Sequence, residues 1–143
     1  MKQEVAITIR GIHRDADGNE DEVVTRAQGT HHVKEDMHYI SFRETDPETG
    51  EETNQLIKYR DGLLEVIKKG HSTVKMVFDL RHVTACDYRT PYGILPMSIK
   101  TELVRYKEDE KGIRIRAKYR ILWNGEAGDG GSSLILIEVG SMS

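Results

Sequence analysis

Apolar and polar residues alternate along most of this chain with a period of two. In the clearest stretch, residues 113–123, isoleucine, alanine and aromatic side chains share one face. The opposite face carries Arg114, Arg116, Lys118 and Arg120. Successive side chains of a strand point to opposite faces, whereas helical spacing would scatter the same apolar residues around a cylinder. A strand with one dry and one wet face is typical of an antiparallel sheet.

The same alternation predicts a series of strands joined by short turns. The predicted strands cover residues 5–10, 23–33, 39–45, 54–60, 63–69, 73–78, 81–88, 94–106, 113–123 and 133–139. Between two of them, Asp61-Gly62 supplies the positive φ angles that a two-residue type I′ hairpin needs. No stretch has helical periodicity. Regularly spaced short strands of this kind indicate a β-sandwich or a β-barrel.

Closure of the sheet favours the barrel. A meander of this length leaves two exposed edge strands unless its ends meet. We therefore predict an all-β fold: a single antiparallel, mostly up-and-down meander β-barrel of about eight to ten strands, forming one domain over residues 1–143. A barrel of that size is either filled by its own side chains or wide enough for one small ligand.

Length, charge and cysteine content narrow the function classes. The chain has 143 residues, which suits one domain with a proper core. Its net charge is −3, which does not favour nucleic acid or an anionic membrane as partner. The single cysteine, Cys86, cannot form an internal disulfide, and we find no signal-peptide pattern or membrane-length apolar run. We therefore expect a cytoplasmic protein.

One block of residues resembles a known family. The runs Met76-Val77-Phe78, Tyr88-Arg89-Thr90-Pro91-Tyr92-Gly93 and Ile99-Lys100-Thr101, together with Met97, are similar to the YwiB-like family of small bacterial proteins, mostly from Gram-positive bacteria. The resemblance implies a lipocalin-like, or calycin, β-barrel of undefined function, and it brings no catalytic residues with it. Secreted lipocalins differ, since they are disulfide-bonded and begin with a Gly-x-Trp motif, whereas Trp123 lies late in this chain.

The segment from Tyr88 to Gly93 is the most specific local feature. The hydroxyl groups of Tyr88, Thr90 and Tyr92 are candidates to line the barrel mouth and bind a small polar group. Alternatively, Pro91 fixes its φ angle and Gly93 permits a positive one, so that the segment bends a strand at a barrel corner.

The four basic residues of strand 113–123 form a second candidate, which we call the basic ladder: Arg114, Arg116, Lys118 and Arg120. Side chains on one face of a strand repeat every 6.6–6.8 Å or so, a spacing that suits phosphates or an acidic partner. Alternatively, these residues pair across strands with Glu102 and Glu138. Binding of nucleic acid would also require exposed aromatic residues, for which Tyr106 is the candidate.

The histidines, the cysteine and the glycine-rich segment do not indicate a metal site, a nucleophile or a phosphate site. His31 and His32 are adjacent and point to opposite faces of a strand, and His13 meets His31 only if the register allows it. Cys86 lies within a strand, where a buried thiol is expected rather than a nucleophile. The glycine-rich segment 128–132 lacks the Lys-Ser/Thr ending and the helix of a phosphate loop, so we expect a flexible hairpin loop. We predict no catalytic residue, no metal and no cofactor.

Two functions follow from these observations. The first is a non-enzymatic β-barrel that binds a small apolar or partly polar molecule. The alternative is a structural or interaction module that binds protein or RNA through the basic ladder. An internal cavity of about 300 Å³ or more would favour the first function. The sequence leaves monomer and homodimer open, and an enzyme is the third and least supported interpretation.

Overall fold

The computed structural model describes residues 2–123, 126–127 and 131–142. Within these ranges the chain forms strands and turns and no helix. The strands are β1 (Gln3–Arg14), β2 (Glu20–Lys34), β3 (Met37–Thr45), β4 (Glu52–Arg60), β5 (Leu63–Lys69), β6 (Thr73–Phe78), β7 (Thr84–Thr90), β8 (Gly93–Asp109), β9 (Gly112–Trp123), β10 (Glu126–Ala127) and β11 (Ser132–Ser141).

These strands close into a barrel. From β1 to β9 each strand pairs antiparallel with the next, β9 pairs with β11, and β11 pairs with β1. The ring therefore contains ten strands, and the two-residue β10 only extends the edge of β9. This arrangement confirms the predicted all-β, up-and-down meander barrel. None of the described residues lies in a helix long and apolar enough to cross a membrane.

The barrel interior is a packed apolar core built from the alternating positions. Ile40, Ile57, Leu64, Phe78 and Ile115 have no solvent exposure at all. Registers place such residues side by side; for example, Ile40 lies opposite Ile57. Full burial of one side chain of this size contributes roughly 1.5–3 kcal/mol to folding. Hydrophobic burial from nearly every strand therefore holds the ring together.

The Asp61-Gly62 turn has the predicted conformation. Asp61 has φ 48° and Gly62 has φ 82°, and the flanking residues Arg60 and Leu63 are paired. Two successive positive φ angles give a two-residue turn the twist that matches the flanking strands.

A β-bulge in β8 overturns part of the predicted alternation. Thr101 lies opposite Tyr119, but Leu103 rather than Glu102 lies opposite Lys118. The additional residue in β8 reverses the side-chain phase beyond it. Leu103 therefore points outward with Lys118, and Tyr106 points into the barrel with Ile115. The prediction that Tyr106 is an aromatic residue on the basic face is wrong.

The segment from Tyr88 to Gly93 forms a hairpin rather than a bend within one strand. β7 ends at Thr90, β8 begins at Gly93, and these two residues are paired across the two-residue loop of Pro91 and Tyr92. Gly93 has φ 139°, which a glycine adopts readily. The chain reverses where we predicted a corner.

The barrel wall is thinly paired at two places. β3 pairs with β2 only from Gly29 onward, so residues 20–28 of β2 pair with β1 alone within the described chain. β6 and β7 are joined by a single residue pair, Thr73 with Arg89. Dimerisation, in which such an exposed strand edge pairs with a second copy of the chain, stays a prediction. Within the flexible loop predicted over residues 128–132, residues 128–130 lie outside the described residues.

Gly29 of β2 lies close to both neighbouring strands, β1 and β3. A Cβ atom added there would overlap the carbonyl oxygen of Ser41 and come within 2.8 Å of Ile7 Cδ1 and 2.9 Å of Phe42 Cβ. Backbone atoms cannot give way as a flexible side chain can. The absence of a side chain at Gly29 therefore permits this close approach of β2 to β1 and β3.

We expect Gly29→Ala to lower the free energy of unfolding by about 1–3 kcal/mol, because the added methyl group overpacks three strands. Gly11→Ala is the matched control, since a Cβ at Gly11 meets nothing within 4 Å. An alanine tolerated in a strand should leave stability unchanged or raise it by about 0.5–1 kcal/mol. Urea denaturation of both variants measures this, and equal effects would contradict the steric explanation.

Candidate functional site

The two mouths of the barrel differ in chemistry. Because the strands alternate in direction, β1 begins and β11 ends at one mouth, which we call the near mouth. The turns that follow β2, β4, β6 and β8 also lie there. The turns that follow β1, β3, β5 and β7 surround the opposite mouth, which we call the far mouth.

A cavity of about 620 Å³ opens at the far mouth, and we call it the mouth cavity. Its lining consists of Glu44, Glu51, Thr53, Gln55, Lys68, His71, Ser72, Val74, Met76, Tyr88, Met97 and Ile121. The cavity lies beside the thinly paired β6–β7 seam, which contributes Met76 from one strand and Tyr88 from the other.

The polar groups of the mouth cavity come from inward-facing positions and from its rim. Gln55 is buried, and its Nε2 donates a hydrogen bond to Glu44 Oε1 on the neighbouring strand. At the rim, His71 Nδ1 lies 3.7 Å from Glu51 Oε1. The cavity therefore combines apolar walls with a few polar groups that are fixed in position, which is the usual composition of a small-molecule site.

The three candidate residues of the Tyr88 segment separate in the structure. Tyr88 is half-buried and lines the mouth cavity. Thr90 Oγ1 instead donates to the carbonyl oxygen of Gly93 over 3.0 Å and accepts the N–H of Tyr92 at 3.2 Å. The Tyr92 side chain is 98% exposed. The hairpin thus uses Thr90 for its own turn, and a ligand-binding role for the three hydroxyls stays a prediction.

At the near mouth, four side chains form a continuous chain of hydrogen bonds. His31 Nε2 lies 3.0 Å from His38 Nδ1, and His38 Nε2 lies 3.3 Å from the Tyr106 hydroxyl. The Tyr106 hydroxyl donates to Glu108 Oε2 at 2.7 Å. Tyr59 stacks on Tyr106 with ring centroids 4.6 Å apart. These side chains cover this end of the apolar core.

The bonding pattern determines which ring nitrogens carry protons when both histidines are neutral. The phenol proton of Tyr106 is used toward Glu108, so the phenol oxygen accepts from His38 Nε2–H. A neutral imidazole has one N–H, and His38 Nδ1 therefore accepts from His31 Nε2–H. The lone pair at the end of the chain then lies on His31 Nδ1. His31 and Glu108 also line an open cavity of about 440 Å³.

Burial shifts the pKa values within this chain. Burial, together with the neighbouring His38, lowers the pKa of His31 below its ordinary value of 6.5, and Glu108 opposes this shift only in part. Burial and the hydrogen bond to Glu108 raise the pKa of Tyr106 well above its usual range. The phenol therefore keeps its proton at neutral pH and acts as a donor to the carboxylate.

Sequence reasoning missed this hydrogen-bonded chain. His31 and His38 lie in different strands on either side of the Glu35-Asp36 turn, and only the register reveals that both point inward. The register left open by the sequence does not bring His13 to His31, because His13 lies at the far mouth, where its Nδ1 bonds Ser133 Oγ at 2.9 Å. The signal in the sequence that could have revealed this hydrogen-bonded chain is the set of polar residues at inward positions of several strands.

Cys86 and the other metal-binding residue types show no reactive arrangement in the described ranges. Cys86 is 1% exposed, and burial, followed by the charge of Asp87, raises the pKa of its thiol. This agrees with the prediction of a small buried residue. No group of three or more His, Cys, Asp or Glu side chains among the described residues is arranged to hold a metal ion.

The outer surface of β8 and β9 is more basic than the sequence indicated. The basic ladder points outward, and β8 adds three further cations to it. We call the complete set the basic face: Lys100, Arg105, Lys107, Arg114, Arg116, Lys118 and Arg120. Arg120 pairs with Glu102 over 3.3 Å, as expected. Glu138 lies opposite Arg114, but no ion pair within 4.0 Å joins them.

Like charges face each other directly across the β8–β9 ladder. The register pairs Lys100 with Arg120, Arg105 with Arg116, and Lys107 with Arg114. Directly opposed like charges destabilise a sheet by roughly 0.2–1 kcal/mol per pair. The predicted pairing with acidic neighbours thus describes only a small part of this surface.

We predict that His31 makes the stability of the protein depend on pH. Because the folded state lowers the pKa of His31, the unfolded chain takes up the proton first as the pH falls through 6.5. The contribution of His31 is therefore fully present above that pH and is lost below it. Between about pH 7.5 and 5.5, the wild type should lose more free energy of unfolding than His31→Gln.

Denaturation with urea across this pH range measures the difference. Glutamine retains a hydrogen-bonding side chain that does not titrate, so the comparison isolates the protonation of residue 31. Parallel pH profiles for the two proteins would show that His31 is not the group responsible.

Comparison with known proteins identifies relatives of the same architecture. The family model described as "Domain of unknown function (DUF1934)" matches residues 7–130. An uncharacterised β-barrel protein of Bacillus subtilis, YwiB, is 27% identical over 121 residues, which cover 83% of each protein. The crystal structure of YwiB from Bacillus subtilis superposes with a TM-score of 0.77 at 22% identity, covering 98% of this chain and 94% of the other. The chain therefore belongs to the DUF1934 family of YwiB-like β-barrel proteins, whose function is unknown.

Proposed function

We propose that this protein binds a small, largely apolar molecule with a polar group in the mouth cavity, and that it does so without catalysing a reaction. The observation that carries the proposal is the volume of about 620 Å³ at the far mouth. Binding sites for small molecules usually measure about 300–1,000 Å³.

The packing of the rest of the barrel supports this location. Phe78 and Ile99 are almost completely buried, and Phe78 packs edge-on against Tyr119 with ring centroids 4.8 Å apart. The middle of the barrel is thus filled by its own side chains. A ligand would enter at the far mouth and rest on this core, in the manner of a shallow lipocalin-like site.

The lining indicates the class of ligand. Met76 and Met97 are flexible and polarisable, so they adapt to apolar groups of different shape. The hydrogen-bonded pair of Glu44 and Gln55 and the amino group of Lys68 offer partners for one polar end. We infer a reducing, cytoplasmic setting, because the one thiol of the chain, Cys86, is unpaired and buried.

A variant that fills the cavity tests the proposal. Met97→Trp places a large ring into the mouth cavity, whereas Leu95→Trp changes a residue of the same strand that is 50% exposed and outside the lining. The probe is anilinonaphthalene sulfonate, which has an apolar body and one charged group. We expect stoichiometric binding to the wild type and to Leu95→Trp, and binding at least about tenfold weaker to Met97→Trp.

Native mass spectrometry of the protein purified from its own host complements the dye titration. A co-purified small molecule that is absent from Met97→Trp but present on Leu95→Trp would support the proposal. Equal dye binding by both variants, with no bound molecule on the wild type, would overturn it.

A further inference from the structure

We propose that the basic face is a docking surface for an acidic, partly apolar segment of another protein. This surface lies on the outer side of β8 and β9, whereas the mouth cavity lies inside the barrel. The two proposals therefore depend on different residues and fail independently.

Charge is the first argument. Along the outward positions of β8, β9 and β11, the described residues include the seven cations of the basic face and the acids Glu102, Asp109 and Glu138. The whole chain nevertheless has a net charge of −3. The cations are thus concentrated on one side of the barrel, where they attract an anionic partner.

The arrangement of the cations is the second argument. Arg105 lies directly opposite Arg116, and Lys107 lies directly opposite Arg114. Neither pair has an ion-pair partner within 4.0 Å among the described residues. Folding alone would favour an acidic residue at one position of each pair. An acidic partner that lies across both strands would neutralise this repulsion.

The surface between the cations identifies the kind of anion. Arg105, Lys107, Arg114 and Arg116 surround a depression of about 530 Å³, whose lining also includes the half-buried Leu136 and one acidic residue, Glu138. An apolar residue within a basic rim suits a peptide that carries both carboxylates and an aliphatic side chain. In the described part of β8, β9 and β11, no outward position holds an aromatic residue on which nucleotide bases would stack. A protein segment therefore fits this surface better than RNA does.

Charge reversal tests the docking surface. The double variant Arg105→Glu/Arg116→Glu is compared with Arg43→Glu/Lys69→Glu, which makes the same change in net charge on exposed positions of β3 and β5. The probe is a short fluorescent peptide of alternating glutamate and leucine. We expect binding to weaken by about tenfold or more in the first variant and to remain within about twofold of wild type in the second.

Leu136→Ser separates the apolar contribution from the charge. This variant should weaken binding of the glutamate–leucine peptide several-fold and leave binding of a polyglutamate peptide of the same length unchanged. Equal loss for both peptides would overturn the role of the depression. Arg105→Gln/Arg116→Gln removes the cations without adding acids, and it provides the same comparison if the charge-reversal variant does not fold.

The remaining part of the test measures the binding of single-stranded and duplex RNA. Binding of either RNA more tightly than the glutamate–leucine peptide would overturn the proposal in favour of nucleic acid. No binding of any anionic probe to the wild type at low salt would also overturn it. Retained dye binding in the mouth cavity of both charge-reversal variants would show that the result is specific to the outer surface.

Discussion

Pairing between β1 and β11 is the constraint on which the rest of this structure depends. Their register aligns ten residue pairs, from Val5 with Ser141 to Arg14 with Ser132, and thereby turns a meander with two open edges into a ring. Only in a ring do inward positions from all sides meet, so the apolar core, the hydrogen-bonded chain of the near mouth and the mouth cavity all presuppose this closure. The sparse pairing between β6 and β7 is tolerated because the pairing of the other strands, including β1 with β11, keeps the ring closed.

The division of the interior into three chemical layers follows from closure. The middle layer contains fully buried aliphatic residues such as Ile57 and Ile137. At the near mouth, the hydrogen bond between His38 and Tyr106, and the rings stacked on each of them, cover this layer. At the far mouth, methionine and tyrosine side chains border an open volume. One end of the barrel is thus occupied by the protein itself, whereas the other is accessible to another molecule.

Much of the fold could be predicted from the sequence, because alternation at period two is a local property. The strands and the Asp61-Gly62 turn are encoded in adjacent residues, and the closing of the sheet follows from the cost of open edges. The β-bulge at Thr101–Leu103 could not be predicted in this way, since a bulge adds one residue without a local sequence signal. That one residue determined whether Tyr106 lies on the outer surface or in the hydrogen-bonded chain.

The candidate sites could not be predicted from the alternation of apolar and polar residues alone. The contact of His31 with His38 and the opposition of Arg105 and Arg116 depend on register between strands, which turn lengths and bulges set together. The Tyr88 segment illustrates the difference: the sequence indicated that these residues are special, and the structure divides them between a turn and a cavity wall.

The β1–β11 ladder also has a consequence for how the protein folds. The residues it joins, such as Ile9 and Ile137, are separated by nearly the whole chain, so this ladder contributes contacts of very high sequence separation. During synthesis, β1 emerges from the ribosome long before its second partner exists. Until β11 arrives, the growing meander exposes an edge and half of its core, which slows folding and favours association with other chains. The ladder that completes the barrel can therefore form only after β11, the last strand of the ring, has been synthesised.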